Sequence, residues 1–184
     1  MVIVFIGPPG CGKGTLANIL KESFLPYLNI LTVSSLLKEK SQDESILGKD
    51  IKNKMDNGDL IEDTIVISVL KEKVNTFSNE QILIDGFPRS SIQADSLLEI
   101  FENKDLSIIN FDVDDEQLLQ RIKKRSMEES RADDSFFEKR LLIYKKSHLE
   151  ILNSLKKNYS VTDIQANDEI SSVTAKIVDK LGLN

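Results

Sequence analysis

The chain has little that could cross-link it or anchor it in a membrane. Its 184 residues include one cysteine, one histidine and four prolines. A single cysteine excludes a disulfide framework within the chain and a metal site built from several cysteines. The first apolar run ends at Gly7-Pro-Pro and is too short for a secretory signal or a membrane span. We therefore expect a cytoplasmic protein in a reducing compartment, without a membrane partner.

The chain also lacks an excess of positive charge. The 24 Lys and Arg residues are outnumbered by 30 Asp and Glu residues, which leaves a formal charge of −6. A general nucleic-acid binder needs a basic face for phosphate contacts, so we do not expect a nucleic-acid partner. The composition, 40% hydrophobic and 29% charged, is typical of a soluble globular protein, and the length suits one domain with its own core.

The chain does contain a glycine-rich turn between a strand pattern and a helix pattern. Residues 2 to 6 are all β-branched or aromatic, which is typical of a strand buried on both faces of a parallel sheet. The sequence GPPGCGKGT follows, and its Gly7, Gly12 and Lys13 fit the G-x-x-x-x-G-K pattern. In that pattern backbone N–H groups surround phosphate oxygens, and a helix N-terminus and the lysine add positive charge. The alternative is an ordinary tight turn, which rarely needs so many glycines.

Strand and helix patterns alternate along the rest of the chain. Further strands are predicted at Asn29–Val33, Gln81–Asp85, Ser107–Val113 and Tyr159–Ile164. After a short helix capped by Ser34-Ser35, helices are predicted at Asp43–Asp56, from Ile61, and at Ser90–Phe101, Glu116–Arg125, Phe136 to about Lys157, and Ile170–Leu181. The alternation predicts an α/β fold with a parallel sheet of about five strands and helices on both faces.

Ligands of such sheets bind beyond the carboxyl ends of the strands. Residues 7–13, 85–89 and 112–114 all follow predicted strands, so we expect them to converge on one cleft. Asp85 ends an apolar strand, where its carboxylate could reach Mg²⁺ directly or through water; the alternative is a helix or turn cap. Basic side chains follow at Arg89, Arg121, Lys123, Lys124, Arg125, Arg131 and Arg140. A solvated face is the alternative for these, and we prefer it for Lys123 and Lys124.

Two stretches together carry a resemblance to a known family. GPPGCGKGT, with glycine at position 14, and DGFPRSSIQA at residues 85–94 resemble the two diagnostic motifs of the adenylate kinase family of nucleoside monophosphate kinases. The similarity runs over essentially the whole chain. It implies a single P-loop NTPase-type domain of residues 1–184, with a core of residues 1–33, 61–125 and 135–184. A helical arm that binds the nucleoside monophosphate (NMP) is then expected at about 34–60, and a short lid at about 126–134.

The resemblance implies reversible, Mg²⁺-dependent phosphoryl transfer from ATP to AMP, giving two ADP. It implies a monomer whose partners are the nucleotides ATP, AMP and ADP, with Mg²⁺ as cofactor. The short interval between Arg125 and Arg131 leaves no room for a long lid with zinc-binding cysteines, so no zinc is expected. A pyrimidine kinase for UMP or CMP is one alternative. The other is a nucleotide-binding regulatory module without turnover.

The resemblance also implies roles for individual residues. Lys13 should hold the β and γ phosphates of ATP, Asp85 should organise Mg²⁺, and Gln93 should read an adenine edge. The implied catalytic residues are Lys13, Arg89, Arg125, Arg131 and Arg140. The implied ATP-binding residues are Gly10, Cys11, Gly12, Lys13, Gly14, Thr15, Arg121, which stacks on the base, and Arg125. The implied AMP-binding residues are Val33, Lys38, Gly58, Ile61, Gly86, Arg89, Gln93, Arg131 and Arg140.

The chain departs from the family pattern in its acceptor loop. The family usually has T-G-D-x-L-R, whereas this chain has VSSLLK at residues 33–38. Lys38 keeps a positive charge without the two-pronged guanidinium, and Val33 cannot hydrogen-bond a base. The span from Asp134 to Arg140 is also slightly shorter than the family's usual spacing.

Two further side chains have competing interpretations. Cys11 lies near a helix N-terminus, which could make its thiol reactive; the alternative is a loop position that tolerates many side chains. His148 falls on the apolar stripe of a predicted helix and has no second histidine to share a metal with. We interpret it as a packing residue.

Overall fold

The computed structural model describes residues 1–57, 59–78, 80–101, 105–128 and 137–183, except for the side chains of 125–128. The strands in these residues are β1 (Val2–Ile6), β2 (Asn29–Thr32), β3 (Ile82–Asp85), β4 (Leu106–Asp112) and β5 (Val161–Gln165). The helices are α1 (Lys13–Ser23), α2 (Val33–Lys40), α3 (Ile46–Asn57), α4 (Asp63–Val74), α5 (Ser91–Ile100), α6 (Asp115–Glu128), α7 (Phe137–Leu155) and α8 (Ile170–Leu181).

The strands form one parallel sheet in the order β2-β3-β1-β4-β5. Strand β1 lies in the centre, and all five of its residues are buried. Its branched and aromatic side chains suit this position, because a central parallel strand is covered on both faces. The predicted parallel α/β fold is therefore confirmed.

Alternate residues of β1 enter two separate cores. Val2, Val4 and Ile6 pack in a cluster that α2, α4, α5 and α7 cover, whereas Ile3 and Phe5 pack in a second cluster beneath α1 and α8. This alternation follows from the twofold side-chain period of a strand. Helices on both faces leave the two ends of the sheet as places where polar loops can meet.

Several helix boundaries differ from the sequence predictions, among them those of α2 and α6. Helix α2 begins at Val33, with Thr32 at the N-cap position, so the predicted cap at Ser34-Ser35 is wrong. Val33 is only 4% exposed, and its burial places the two serines in the exposed first turn instead. Helix α6 continues to Glu128 because no glycine or proline stops it at Arg125. The first residues of the predicted lid are therefore helical, and its remainder, 129–134, lies outside the described residues.

The length and hydropathy of the helices bear on membrane insertion. Among the described residues, no helix combines the length and the apolar character needed to cross a bilayer.

Candidate active site

The phosphate loop, residues 7–15, closes around its own lysine. The Lys13 ammonium donates to the carbonyl oxygens of Gly7, at 2.8 Å, and Pro8, at 2.9 Å. Gly10 and Gly12 have positive φ angles of 83° and 101°, a backbone conformation that glycine adopts without steric cost. Helix α1 begins at Lys13 itself, so its unpaired N–H groups and its positive end face the loop. The loop can therefore bind a phosphate group.

Arg121 ties this loop to the far edge of the sheet. Its guanidinium donates to the Cys11 carbonyl at 3.2 Å and to the Ala166 carbonyl at 2.6 Å. Cys11 belongs to the phosphate loop, and Ala166 directly follows β5. Two anchors on different loops fix the plane of the guanidinium, as stacking against a flat base requires. The stacking of Arg121 on the ATP base stays a prediction.

The second motif starts on the neighbouring strand. Asp85 ends β3, is half-buried, and pairs in register with Phe5 of β1. The two motifs therefore follow adjacent parallel strands at their carboxyl ends, on the same side of the sheet. Arg89 is exposed in the loop that follows, and its Nε donates to the Gly86 carbonyl at 2.9 Å.

Gln93 lies at the start of α5 and is 4% exposed. Its Nε2 donates to Oδ1 of Asp63 at 2.7 Å, and its Oε1 accepts from the Arg89 backbone N–H at 2.7 Å. The other carboxylate oxygen of Asp63 accepts from the Ser90 hydroxyl at 2.8 Å, and Ser90 in turn caps α5 by accepting from the Gln93 N–H. These four residues form what we call the Asp63 network.

Asp63 was missed by the sequence analysis. It stands in the first turn of α4, where an acidic residue is explained by the helix dipole alone. Its partner Gln93 is 30 residues away in sequence, and no motif spans the two. Only the packing of α4 against α5 brings them together.

The remaining predicted residues that the structure describes lie on α2, before α4 and on α7. Val33 is buried in the core at the start of α2, and Lys38 is exposed on the same helix. Ile61 packs against the core before α4, and Arg140 is half-buried on α7. Gly58, Arg131 and the side chain of Arg125 lie outside the described part of the chain.

Cys11 and His148 both lie in packed surroundings. Cys11 is 1% exposed and packs in the core, so burial disfavours the reactive thiol by denying reagents access, and close packing disfavours a position that tolerates many side chains. The hydroxyl of Tyr144 lies 3.3 Å from Nε2 of His148, and the two rings stack with centroids 4.5 Å apart. Burial lowers the pKa of His148 and raises that of Tyr144. His148 therefore packs in its neutral form, as its apolar stripe predicts.

The described residues contain no group of three or more His, Cys, Asp or Glu side chains placed to hold a metal ion. Mg²⁺ usually takes one or two carboxylates from a protein and the rest of its shell from phosphates and water, so one carboxylate beside a phosphate site would suit it. Asp85, beside the phosphate loop, can supply the carboxylate.

Comparison with known proteins agrees with this geometry. The adenylate kinase family model matches residues 5–160. The adenylate kinase of Leptospira biflexa serovar Patoc is 32% identical over 187 residues, which cover 97% of this chain and 98% of that protein. The adenylate kinase of Prochlorococcus marinus strain MIT 9211 is 32% identical over 186 residues, covering 98% of this chain and 97% of that protein.

A more similar match covers a shorter stretch. The adenylate kinase of Borrelia duttonii strain Ly is 42% identical over 126 residues, which cover 68% of this chain and 57% of that protein. The family model and the full-length matches together decide the assignment: the chain belongs to the adenylate kinase family.

Proposed function

We propose that the protein is an adenylate kinase, which transfers a phosphoryl group reversibly from ATP to AMP with Mg²⁺ and yields two ADP. The observation that carries the proposal is the register between Phe5 and Asp85. Because neighbouring strands lie about 4.8 Å apart, the phosphate loop and the DGFPR segment begin side by side. A donor phosphate on the first and an acceptor phosphate on the second are then within reach of each other.

Phosphoryl transfer requires positioning and charge stabilisation more than covalent chemistry by the protein. In our proposal Lys13 leaves the carbonyl oxygens of its own loop and binds the β and γ phosphates of ATP. Gly10, Cys11, Gly12, Gly14 and Thr15 contribute backbone N–H groups, and Arg121 stacks on the base. Mg²⁺, held through Asp85, supplies neutralisation of the phosphate charge.

The acceptor site in this proposal lies between the core and α2–α3. Arg89 binds the AMP phosphate and Gln93 contacts the base, while Arg125, Arg131 and Arg140 surround the transferring group. We propose that the AMP site is also lined by Val33, Lys38, Gly58, Ile61 and Gly86. The arm of residues 34–60 and the lid of residues 126–134 close over the substrates, because water left in the cleft would hydrolyse ATP.

Neither alternative is favoured by the matches described above, which carry the name adenylate kinase. A regulatory module has no need for Lys13, Asp85 and Arg89 together. We further propose a cytoplasmic monomer that acts on free nucleotides without zinc and does not bind nucleic acid or membrane, and the formal charge of −6 supports the absence of a nucleic-acid partner.

One assay tests the proposal. ATP with Mg²⁺ is incubated with AMP, UMP, CMP or GMP in turn, and formation of the nucleoside diphosphate is followed. We expect AMP to be preferred. Preference for UMP or CMP would establish the pyrimidine kinase, and ATP binding without any product would establish the regulatory module.

Substitution of the arginines tests the assignment of the site. An arginine at the transferring phosphate contributes about 4–7 kcal/mol to lowering the barrier, whereas an exposed ion pair contributes under about 1 kcal/mol to stability. Arg89→Ala, Arg131→Ala and Arg140→Ala should each lower kcat by orders of magnitude while circular dichroism stays that of the wild type. Near-normal turnover of a variant would show that the replaced arginine does not act at the transferring phosphate.

A further inference from the structure

The amide of Gln93 is held in one orientation by two partners of opposite polarity. A carboxylate can only accept, so Asp63 must face the amide nitrogen of Gln93. A backbone N–H can only donate, so Arg89 must face the amide oxygen. A rotation of the amide by about half a turn would set oxygen against carboxylate and NH₂ against N–H, and it would lose both hydrogen bonds. The orientation is therefore determined by chemistry as well as by shape.

The surroundings make the orientation costly to change. Gln93 is 4% exposed, so a lost hydrogen bond is not replaced by water. Asp63 is itself fixed, because its second oxygen accepts from the Ser90 hydroxyl at 2.8 Å. The Asp63 network thus holds the amide from α4 and from the loop before α5 at the same time.

We propose that Asp63 is a positioning residue that determines which purine the acceptor site takes, an inference that rests on the proposed function, in which Gln93 contacts the acceptor base. An amide nitrogen carries two hydrogens and an amide oxygen two lone pairs, so Gln93 keeps one donor and one acceptor after Asp63 and Arg89 are satisfied. A base needs only this remaining edge, and the rest of the side chain can stay buried.

The fixed edge matches adenine and opposes guanine. Adenine offers an acceptor at N1 and a donor at its exocyclic amino group, which pair with the nitrogen and the oxygen of the amide. Guanine offers the reverse, a donor at N1 and an acceptor at O6, and would require the rotated amide. Asp63 and Arg89 prevent that rotation. A site built to pair polar groups strongly rejects a ligand that leaves them unpaired. Asp63 therefore acts against GMP through Gln93, although it does not contact the base itself.

Asp63→Asn is the sharpest test, because asparagine keeps the size of the side chain but can present either an oxygen or an NH₂ group to Gln93. The quantities measured are kcat/KM for AMP and for GMP, with ATP saturating, and the KM for ATP. We expect the ratio of AMP to GMP to fall at least about tenfold, with the KM for ATP unchanged. Asp63→Glu keeps an acceptor-only carboxylate, and it should restore much of the ratio.

A matched control lies between the same two helices. The exposed Lys71–Glu99 pair also joins α4 to α5, at 2.5 Å, and Glu99→Gln removes it without approaching the Asp63 network. This variant should keep the wild-type ratio. AMP and GMP affinities measured by calorimetry without ATP give a second readout that does not depend on turnover.

The outcomes separate the two levels of the proposal. A wild-type protein that makes no ADP from AMP refutes the proposed function. A wild-type protein that phosphorylates AMP, with an Asp63→Asn variant that is folded and keeps the AMP to GMP ratio, refutes the role of Asp63. A variant that only unfolds at lower temperature, with its ratio unchanged, shows Asp63 to be a structural tie and also refutes the inference.

Discussion

Replacement of Gly48 by alanine sets two effects of opposite sign against each other. Gly48 lies inside α3, where alanine is the better helix former by about 1 kcal/mol. Gly48 is buried, however, and a Cβ added there would lie 2.2 Å from the Asp43 carbonyl oxygen and 3.0 Å from the Lys40 carbonyl oxygen. Both are backbone atoms, so no side-chain rotation can relieve the overlap. Helix propensity predicts stabilisation, and packing predicts destabilisation.

The distances decide which effect prevails. To admit the methyl group, the turn between α2 and α3 must move by about 1 Å, and overpacking of this kind typically costs about 1–3 kcal/mol. Because the overlap is with backbone atoms, we expect a cost in the upper part of that range, about 2–3 kcal/mol, and hence a net loss of about 1–2 kcal/mol in the free energy of unfolding. For a chain of this size the loss lowers Tm by about 2–8 °C.

Thermal unfolding followed by circular dichroism measures the shift, with Lys52→Ala as control. Lys52 is exposed on the same helix, and its replacement should change stability by less than about 0.5 kcal/mol. If α3 belongs to the proposed NMP-binding arm, Gly48→Ala should also raise the KM for AMP more than that for ATP. A Gly48→Ala protein as stable as the wild type would refute the packing argument, because it would show that α3 does not rest against the Asp43 carbonyl.

Three further predictions concern charge and protonation. Lys13→Ala should lower kcat by about a hundredfold or more, because the ammonium is needed for phosphate, and should lower Tm by only about 2–8 °C, because two hydrogen bonds to the Gly7 and Pro8 carbonyls are lost; normal turnover in a coupled assay would contradict this role. Arg121→Ala should raise the KM for ATP and leave that for AMP near the wild-type value, since it frees the Cys11 and Ala166 carbonyls beside the phosphate loop; equal changes in both KM values would argue against it. Burial lowers the pKa of His148 from 6.5, so the unfolded chain binds a proton more readily, and stability should fall as the pH drops below about 6.5. His148→Leu should flatten that part of a stability profile measured by urea unfolding between pH 7 and 5, and an unchanged slope would refute the assignment.

The strands were predictable because their side chains are chemically unambiguous. Residues 2–6 and 82–85 are unbroken apolar runs ending at glycine or at a carboxylate, and both became strands within one residue of the prediction. Helix starts were less predictable, because several polar residues near a boundary can serve as caps. Helix α3 was expected from Asp43 but begins after Ser45, whose hydroxyl accepts from the Gly48 N–H at 3.1 Å.

The residues of the candidate site also differ in how far the sequence predicts them. Lys13, Asp85 and Arg89 lie within two motifs that can be recognised in the sequence, and their roles stay predictions. Asp63 was not found, because its role depends on the angle at which α4 packs on α5, and local sequence does not encode that angle. For the same reason no sequence pattern indicates that the amide of Gln93 is held by two partners.

The position of β1 in the sheet has a consequence for how the chain folds. Val2 pairs with Ile82 on one side and with Leu106 on the other. During synthesis from the N-terminus, the five apolar residues of β1 therefore emerge long before either neighbour exists. Contacts of such large sequence separation slow folding and leave apolar segments open to association. The strand that precedes the phosphate loop is thus synthesised first but hydrogen-bonded to its neighbours late. Productive folding requires that β1 stays unpaired until β3 and β4 have been synthesised.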